Sequence, residues 1–140
     1  MTNELHRYFD AERCAIGRAR EFVITSLEAW GITGESAEDI RLCVSELASN
    51  ALAHGTRRGH IFLVSLLRVD ESCVRLEVHD SRDISPDGLP RLRETVDTDT
   101  SGRGLSIVDA LAEDWGVDKR SPYGKVVWSR FKAVPTPQRA

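Results

Sequence analysis

The sequence predicts an α/β fold, a two-layer sandwich in which helices cover one face of a mixed, mostly antiparallel sheet. Three observations predict it. Residues 11–30 and the segment after Ser36 carry apolar side chains at three- and four-residue steps. Residues 61–69 and 74–78 read as strands that flank the turn Asp70-Glu71-Ser72. The remaining segments complete the order strand, two helices, hairpin, long loop, helix, hairpin, with no internal repeat and no second domain.

The elements follow in order. Residues 5–9 form a short extended start. In the first helix Ile16, Ala19, Val23, Leu27 and Trp30 share one face, and Gly31 and Gly34 break it. Ser36 offers an N-cap for the second helix, with Asp39 three residues on in a capping-box arrangement. That helix places Ile40, Val44, Leu47 and Ala51 on one face and ends at His54-Gly55. Residues 61–69 are a nearly continuous apolar run, whereas Val74, Leu76 and Val78 alternate with polar residues. Residues 81–101 hold Pro86, Gly88 and Pro90 and have little periodicity apart from Leu89 and Leu92, and a loop of that length inside a compact domain is usually functional. Residues 104–112 return to helix, with Leu105, Val108 and Leu111 facing inward. Residues 115–118 and 125–131 read as two strands around Ser121-Pro122-Tyr123-Gly124. The expected organisation is one domain over residues 1–132 and a disordered tail over 133–140.

Composition narrows the function. A chain of 140 residues with 41% hydrophobic and 29% charged residues is an ordinary globular domain with a proper core. The net charge of −3 argues against direct nucleic-acid binding, and Arg57-Arg58 with Arg91 and Arg93 are too sparse for a basic stripe. Cys14, Cys43 and Cys73 have neither metal-site spacing nor a disulfide framework, and their apolar-periodic settings suggest buried thiols in a reducing compartment. Nothing resembles a signal peptide or a membrane span, so the expected location is cytoplasmic, without membrane partners.

Glu46 and Asn50, four residues apart, lie one turn apart at the margin of the second helix's apolar face. A pair at such a margin can line a cleft while the apolar face packs. A carboxamide can offer a neutral oxygen to Mg²⁺ beside a polyphosphate, and a carboxylate one turn away can accept a proton. An isolated Glu/Asn pair is more often simply solvated. Asp80 ends an alternating strand with its side chain inward, where it could accept a hydrogen bond from the exocyclic amine of a base; the plainer alternative is a turn-initiating Asp. His79 lies on the opposite face and is expected to be exposed. Gly102-Arg103-Gly104 opens a helix, and a helix N-terminus with glycines lets backbone N–H groups close on a phosphate. It is neither a Walker P-loop nor a dinucleotide fingerprint.

The order of these signals is more specific than any one of them. Glu-x-x-x-Asn on a helix, a strand-end Asp, a long loop and Gly-x-Gly opening a helix resembles the Bergerat, or histidine-kinase-like ATPase, fold of the GHKL superfamily. Residues 5–131 carry the resemblance. It points away from histidine kinases, type II topoisomerases and Hsp90 chaperones, for whose dimerisation helix or transducer domain 140 residues leave no room. It points to the small anti-sigma factor serine/threonine kinases, or switch-protein kinases, of actinobacterial type. Ser45-Glu46-Leu47-Ala48-Ser49-Asn50-Ala51 is similar to that family's N box, and Thr100-Ser101-Gly102-Arg103-Gly104-Leu105 to its second glycine box. Gly124-Lys125-Val126-Val127-Trp128 resembles its last strand.

The resemblance implies ATP and Mg²⁺ as cofactors. It implies Glu46 as catalytic base, Asn50 as Mg²⁺ ligand, Asp80 on the adenine amine, and phosphate binding around Ser101, Gly102, Arg103, Gly104 and Leu105, with residues 82–101 as a lid. The implied partners are a STAS-domain anti-sigma factor antagonist, which is phosphorylated, and a sigma factor; a homodimer is a further expectation. Two departures stand out. Arg82 and Ile84 replace the glycines of the family's Asp-x-Gly-x-Gly box, and Val126 or Val127 stands where many members have a Thr. The rival reading is a non-catalytic ATP-binding module that acts by docking a partner.

Overall fold

The computed structural model describes residues 3–55, 60–80, 100–119 and 124–135. Strand β1 (Glu4–Asp10) leads to α1 (Cys14–Ala29), α2 (Glu35–Asn50) and a π-helical turn (Ala51–Gly55). The hairpin β2 (Ile61–Asp70) and β3 (Cys73–Asp80) follows, then α3 (Thr100–Leu111) and the pair β4 (Asp114–Lys119) and β5 (Lys125–Lys132). The sheet order is β1-β2-β3-β5-β4. Each of its pairings is antiparallel, so among the described residues the sheet is not mixed.

Strand alternation explains the two layers. Phe9, Phe62, Val64, Leu66, Val74, Leu76, Val78, Val127 and Phe131 point to one side and are buried there beneath the helices. From above, α1 contributes Ala19, Val23 and Leu27, and α2 contributes Ile40, Val44, Leu47 and Ala48. The stripe on each helix is the one the sequence periodicity picks out.

Helix ends depend on more than local sequence. Helix α1 ends as the glycines foretell: Gly31 N–H donates to Glu28 O at 2.9 Å and Ile32 N–H to Leu27 O at 2.8 Å, with Gly31 at φ +77°. That is a Schellman closure, and buried Ile32 and Leu27 supply its apolar contact. The capping box expected at Ser36 does not form. Gly34, at φ +78°, occupies the N-cap without a side-chain hydrogen bond, and Ser36 already lies inside the helix. Its hydroxyl donates instead to Lys132 O at 3.3 Å and ties the helix start to the end of β5. In the β2–β3 turn Asp70 Oδ1 accepts from Ser72 N–H at 2.8 Å. Ala133, which the sequence assigns to the tail, is buried and donates its N–H to Ser72 O at 2.9 Å. Residues 136–140 lie outside the described residues.

The sheet's other face carries polar and aromatic groups in register. His6, Ser65, Glu77, Trp128 and Gly116 form one cross-strand row. The Arg75 guanidinium lies 4.6 Å from the Trp128 ring centroid. The same ring lies so close to Gly116 that a Cβ there would stand 2.8 Å from it, so only glycine fits beneath the indole. His79 is not exposed as expected: its side chain keeps 17% of its accessible surface, and Nε2 lies 2.9 Å from Glu77 Oε1. The hydrogen bond from His79 is the main cause that holds the Glu77 carboxyl below its ordinary range, with Arg75 adding to it against the opposing effect of burial. A carboxylate depressed in the folded state contributes stability above its unfolded pKa, and that contribution is lost as pH falls through the lower folded value. The melting temperature of the native chain should therefore fall below about pH 4.3, and its pH dependence there should be flatter for Glu77→Gln. Parallel acid limbs would show that the cluster adds nothing.

The cysteines divide by position. Cys43 is buried on α2, and burial, helped by the Asp39 and Glu46 charges, pushes its thiol up to about 12. Cys14 is exposed and Cys73 half-buried, so the expectation of buried thiols holds for one residue of the three. Among the described residues no helix is long and apolar enough to cross a membrane.

Candidate functional site

Two anchors set which ends of the helices meet. Ser36 holds the start of α2 at Lys132, the far end of β5. From Ser36 to Asn50 the helix rises about 21 Å, and from Lys132 back to Lys125 the strand covers about 23 Å. With α2 packed along β3 and β5, these lengths carry Asn50 toward the Lys125 end of the sheet. The π-helical turn that follows Asn50 packs on β3, as this placement requires.

Helix α3 runs the other way. After it, Glu113 N–H donates to Arg130 O at 2.8 Å and Asp114 pairs with Arg130, so the C-terminal end of α3 lies near the Lys132 end of the sheet. Over its length the helix rises about 18 Å, which carries its N-terminus, at Thr100, back toward Lys125. Helices α2 and α3 pack side by side. By these lengths the end of α2, the start of α3, the last residue of β3 and the first of β5 all lie toward the same end of the sheet, although they are far apart in sequence.

Glu46 and Asn50 are both half-buried, at the margin of a face whose Leu47, Ala48 and Ala51 are buried. Among the described residues the Glu46 carboxylate enters no hydrogen bond or ion pair. The Asn50 amide has a buried Nδ2 without a hydrogen-bond partner. An orphaned buried amide is costly and calls for an explanation. Because amide N and O exchange by a flip, the same position can present Oδ1. A hard cation needs such an oxygen, so the residue fits Mg²⁺, with phosphate and water supplying the other ligands. Among the described residues there is no cluster of three or more His, Cys, Asp or Glu that could hold a metal by protein ligands alone.

Asp80 is buried on the helix-covered face, as its parity predicts. Directly across the ladder stands Lys125, whose Nζ donates to Asp80 Oδ2 at 2.5 Å. Their side chains retain 3% and 7% of their accessible surface. Sequence reading overlooked Lys125. Its signal was the inward parity of the last strand, but its meaning required knowing that β5 pairs with β3.

Helix α3 begins at Thr100, earlier than the sequence reading has it. Ser101 and Gly102 fall among the first residues of the helix, whose N–H groups have no acceptor within it, and Arg103 closes that turn. Gly104 and Leu105 lie further in, where the helix's own ladder takes up the N–H groups, and the Leu105 side chain is in the hydrophobic core. The departures at Arg82 and Ile84, and most of the lid, lie outside the described residues.

Residues 9–131 match the family of the histidine kinase-like ATPase domain. The chain belongs to this family. Membership carries ATP binding. Two solved structures share the fold of this histidine kinase-like ATPase domain. The RsbU and RsbW domains of Rv1364c from Mycobacterium tuberculosis match with a TM-score of 0.66 and 20% identity, over 94% of this chain and 33% of that one. The histidine kinase domain of the blue-light activated histidine kinase EL346 from Erythrobacter litoralis matches with a TM-score of 0.51 and 21% identity, over 84% of this chain and 60% of that one. The chain thus spans about a third of the first structure's length and 60% of the second's. No curated protein matches it.

Proposed function

We propose that this chain is a serine/threonine protein kinase of the anti-sigma factor type. It phosphorylates a small STAS-domain antagonist with Mg-ATP and holds a sigma factor when the antagonist is phosphorylated. What supports this most is the orphaned Asn50 amide one turn from Glu46, on the helix that packs against α3, together with buried Asp80 at the end of β3. The fold shared with an RsbW domain agrees with it.

In this reading the free N–H groups of Ser101 and Gly102 hold phosphate oxygens, and Asp80 accepts from the adenine amine. Asn50 would hold Mg²⁺ by its amide oxygen, and the ion would supply charge neutralisation. Glu46 takes the proton of the attacking hydroxyl as its oxygen bonds to the γ-phosphorus and the bond to the β–γ bridging oxygen breaks, releasing ADP. Chemistry of this kind relies on positioning and charge rather than on a covalent intermediate.

Incubation with labelled ATP and candidate STAS-domain proteins tests the kinase. Transfer to a Ser or Thr of one of them is the expected result. Tight docking without transfer would favour the non-catalytic module, a reading to which Arg82 and Ile84 in the first glycine box lend weight. Calorimetry addresses Asn50 separately. ATP should bind more tightly with Mg²⁺ than without, and Asn50→Ala should erase the difference; equal affinities in the native chain would remove Asn50 as a ligand.

A further inference from the structure

We infer that Lys125 is a second base-reading side chain, which donates to the ring nitrogen N1 of adenine while Asp80 accepts from the neighbouring amine. The inference rests on the nucleotide site proposed above and adds to it a residue that determines specificity.

Its starting point is unspent hydrogen-bonding capacity. An ammonium carries three N–H donors. Among the described residues Asp80 is the only partner of the Lys125 ammonium, at 2.5 Å, although Lys125 is buried. A buried donor without an acceptor is costly, so a cation in this setting is expected to meet a further acceptor when the site is filled. The place is suitable, since Lys125 opens β5 directly across the ladder from Asp80. Asp80 can serve two donors at once, because a carboxylate has about four lone-pair positions.

The order of the groups selects the base. A carboxylate beside an ammonium presents an acceptor next to a donor. Adenine presents the complement on its Watson–Crick edge, the N6 amine next to the N1 lone pair. Guanine reverses the two in the same pose, with O6 against the carboxylate and N1–H against the ammonium. Lys125 also holds the Asp80 carboxylate in place before the base arrives, which lowers the ordering cost of binding.

The probe is 1-deaza-ATP, in which a C–H replaces the N1 lone pair and the amine is retained. Titrating the full chain by calorimetry with Mg-ATP and Mg-1-deaza-ATP should show the analogue binding about 10- to 100-fold more weakly, the range for a hydrogen bond to a charged donor. Lys125→Met should weaken ATP to the level of the analogue and abolish the difference between them, with thermal unfolding confirming a folded variant. Equal affinity of the native chain for the two nucleotides would overturn the role of Lys125 and leave the ATP site standing, a result that does not depend on whether the variant folds. An undiminished preference for ATP in folded Lys125→Met would overturn it as well. Binding of neither nucleotide by the native chain would overturn the site itself, and the inference with it.

Discussion

Glu46→Gln should reduce phosphotransfer to the antagonist by about 10²–10⁴ while leaving the fold and ATP binding nearly unchanged. The expectation follows from where the carboxylate stands. Glu46 is half-buried one turn before Asn50, with no hydrogen-bond or ion-pair partner among the described residues, so no structural contact is lost with its charge. Gln keeps the shape and nearly the same helix propensity and removes only the proton acceptor. A residue with a packing role would instead lower the melting temperature, and one that merely bound ATP would raise its Kd. The decisive combination is native-like unfolding, native-like ATP affinity and lost transfer. A Gln variant that phosphorylates as fast as the native chain would remove Glu46 as the base. Partner docking should survive, because it needs the folded surface rather than the carboxylate.

Breaking the Asp80–Lys125 pair should cost about 3–5 kcal/mol of folding stability. The two groups are buried 2.5 Å apart, so removing either leaves the other charged and without that partner in a poorly solvated place. Asp80→Ala and Lys125→Met should each show the loss as a lower urea midpoint. The double variant Asp80→Leu, Lys125→Met should recover most of it, since replacing both charges by apolar groups of similar volume is often neutral or stabilising. Single variants that lose less than about 1 kcal/mol would show that water reaches the pair, as for an exposed salt bridge. A double variant that loses the sum of the singles would show two independent contributions. The double variant should nonetheless fail to bind ATP tightly, which separates stability from recognition at the same two residues.

Much of this protein is legible in the residues in order. The periodicity of α1 and α2, the alternation of β3 and the apolar run of β2 are properties of neighbours along the chain, and the elements appear where these patterns lie. The Glu46/Asn50 spacing and the inward parity of Asp80 belong to the same kind of information, because one helix or strand is enough to define them. Helix ends were less legible. Ser36 has the composition of a cap, yet Gly34 takes the role and Ser36 reaches a strand 96 positions away, an outcome decided by packing.

What only the tertiary structure decided is which of these pieces meet. That Asp80 faces Lys125 follows from β5 pairing with β3 in one register, and no local pattern encodes a partner 45 residues distant. Gly116 has no evident purpose in the sequence until the Trp128 ring is seen to lie against it. His79 reads as a solvent-facing residue until Glu77 is found beside it. The site is of the same nature. Periodicity placed Glu46 and Asn50 on a helix margin, Asp80 on a strand and the glycines at a helix start. The antiparallel sheet and the opposed directions of α2 and α3 point those ends toward one end of the sheet, because local preferences act along the chain whereas sites form where distant segments pack.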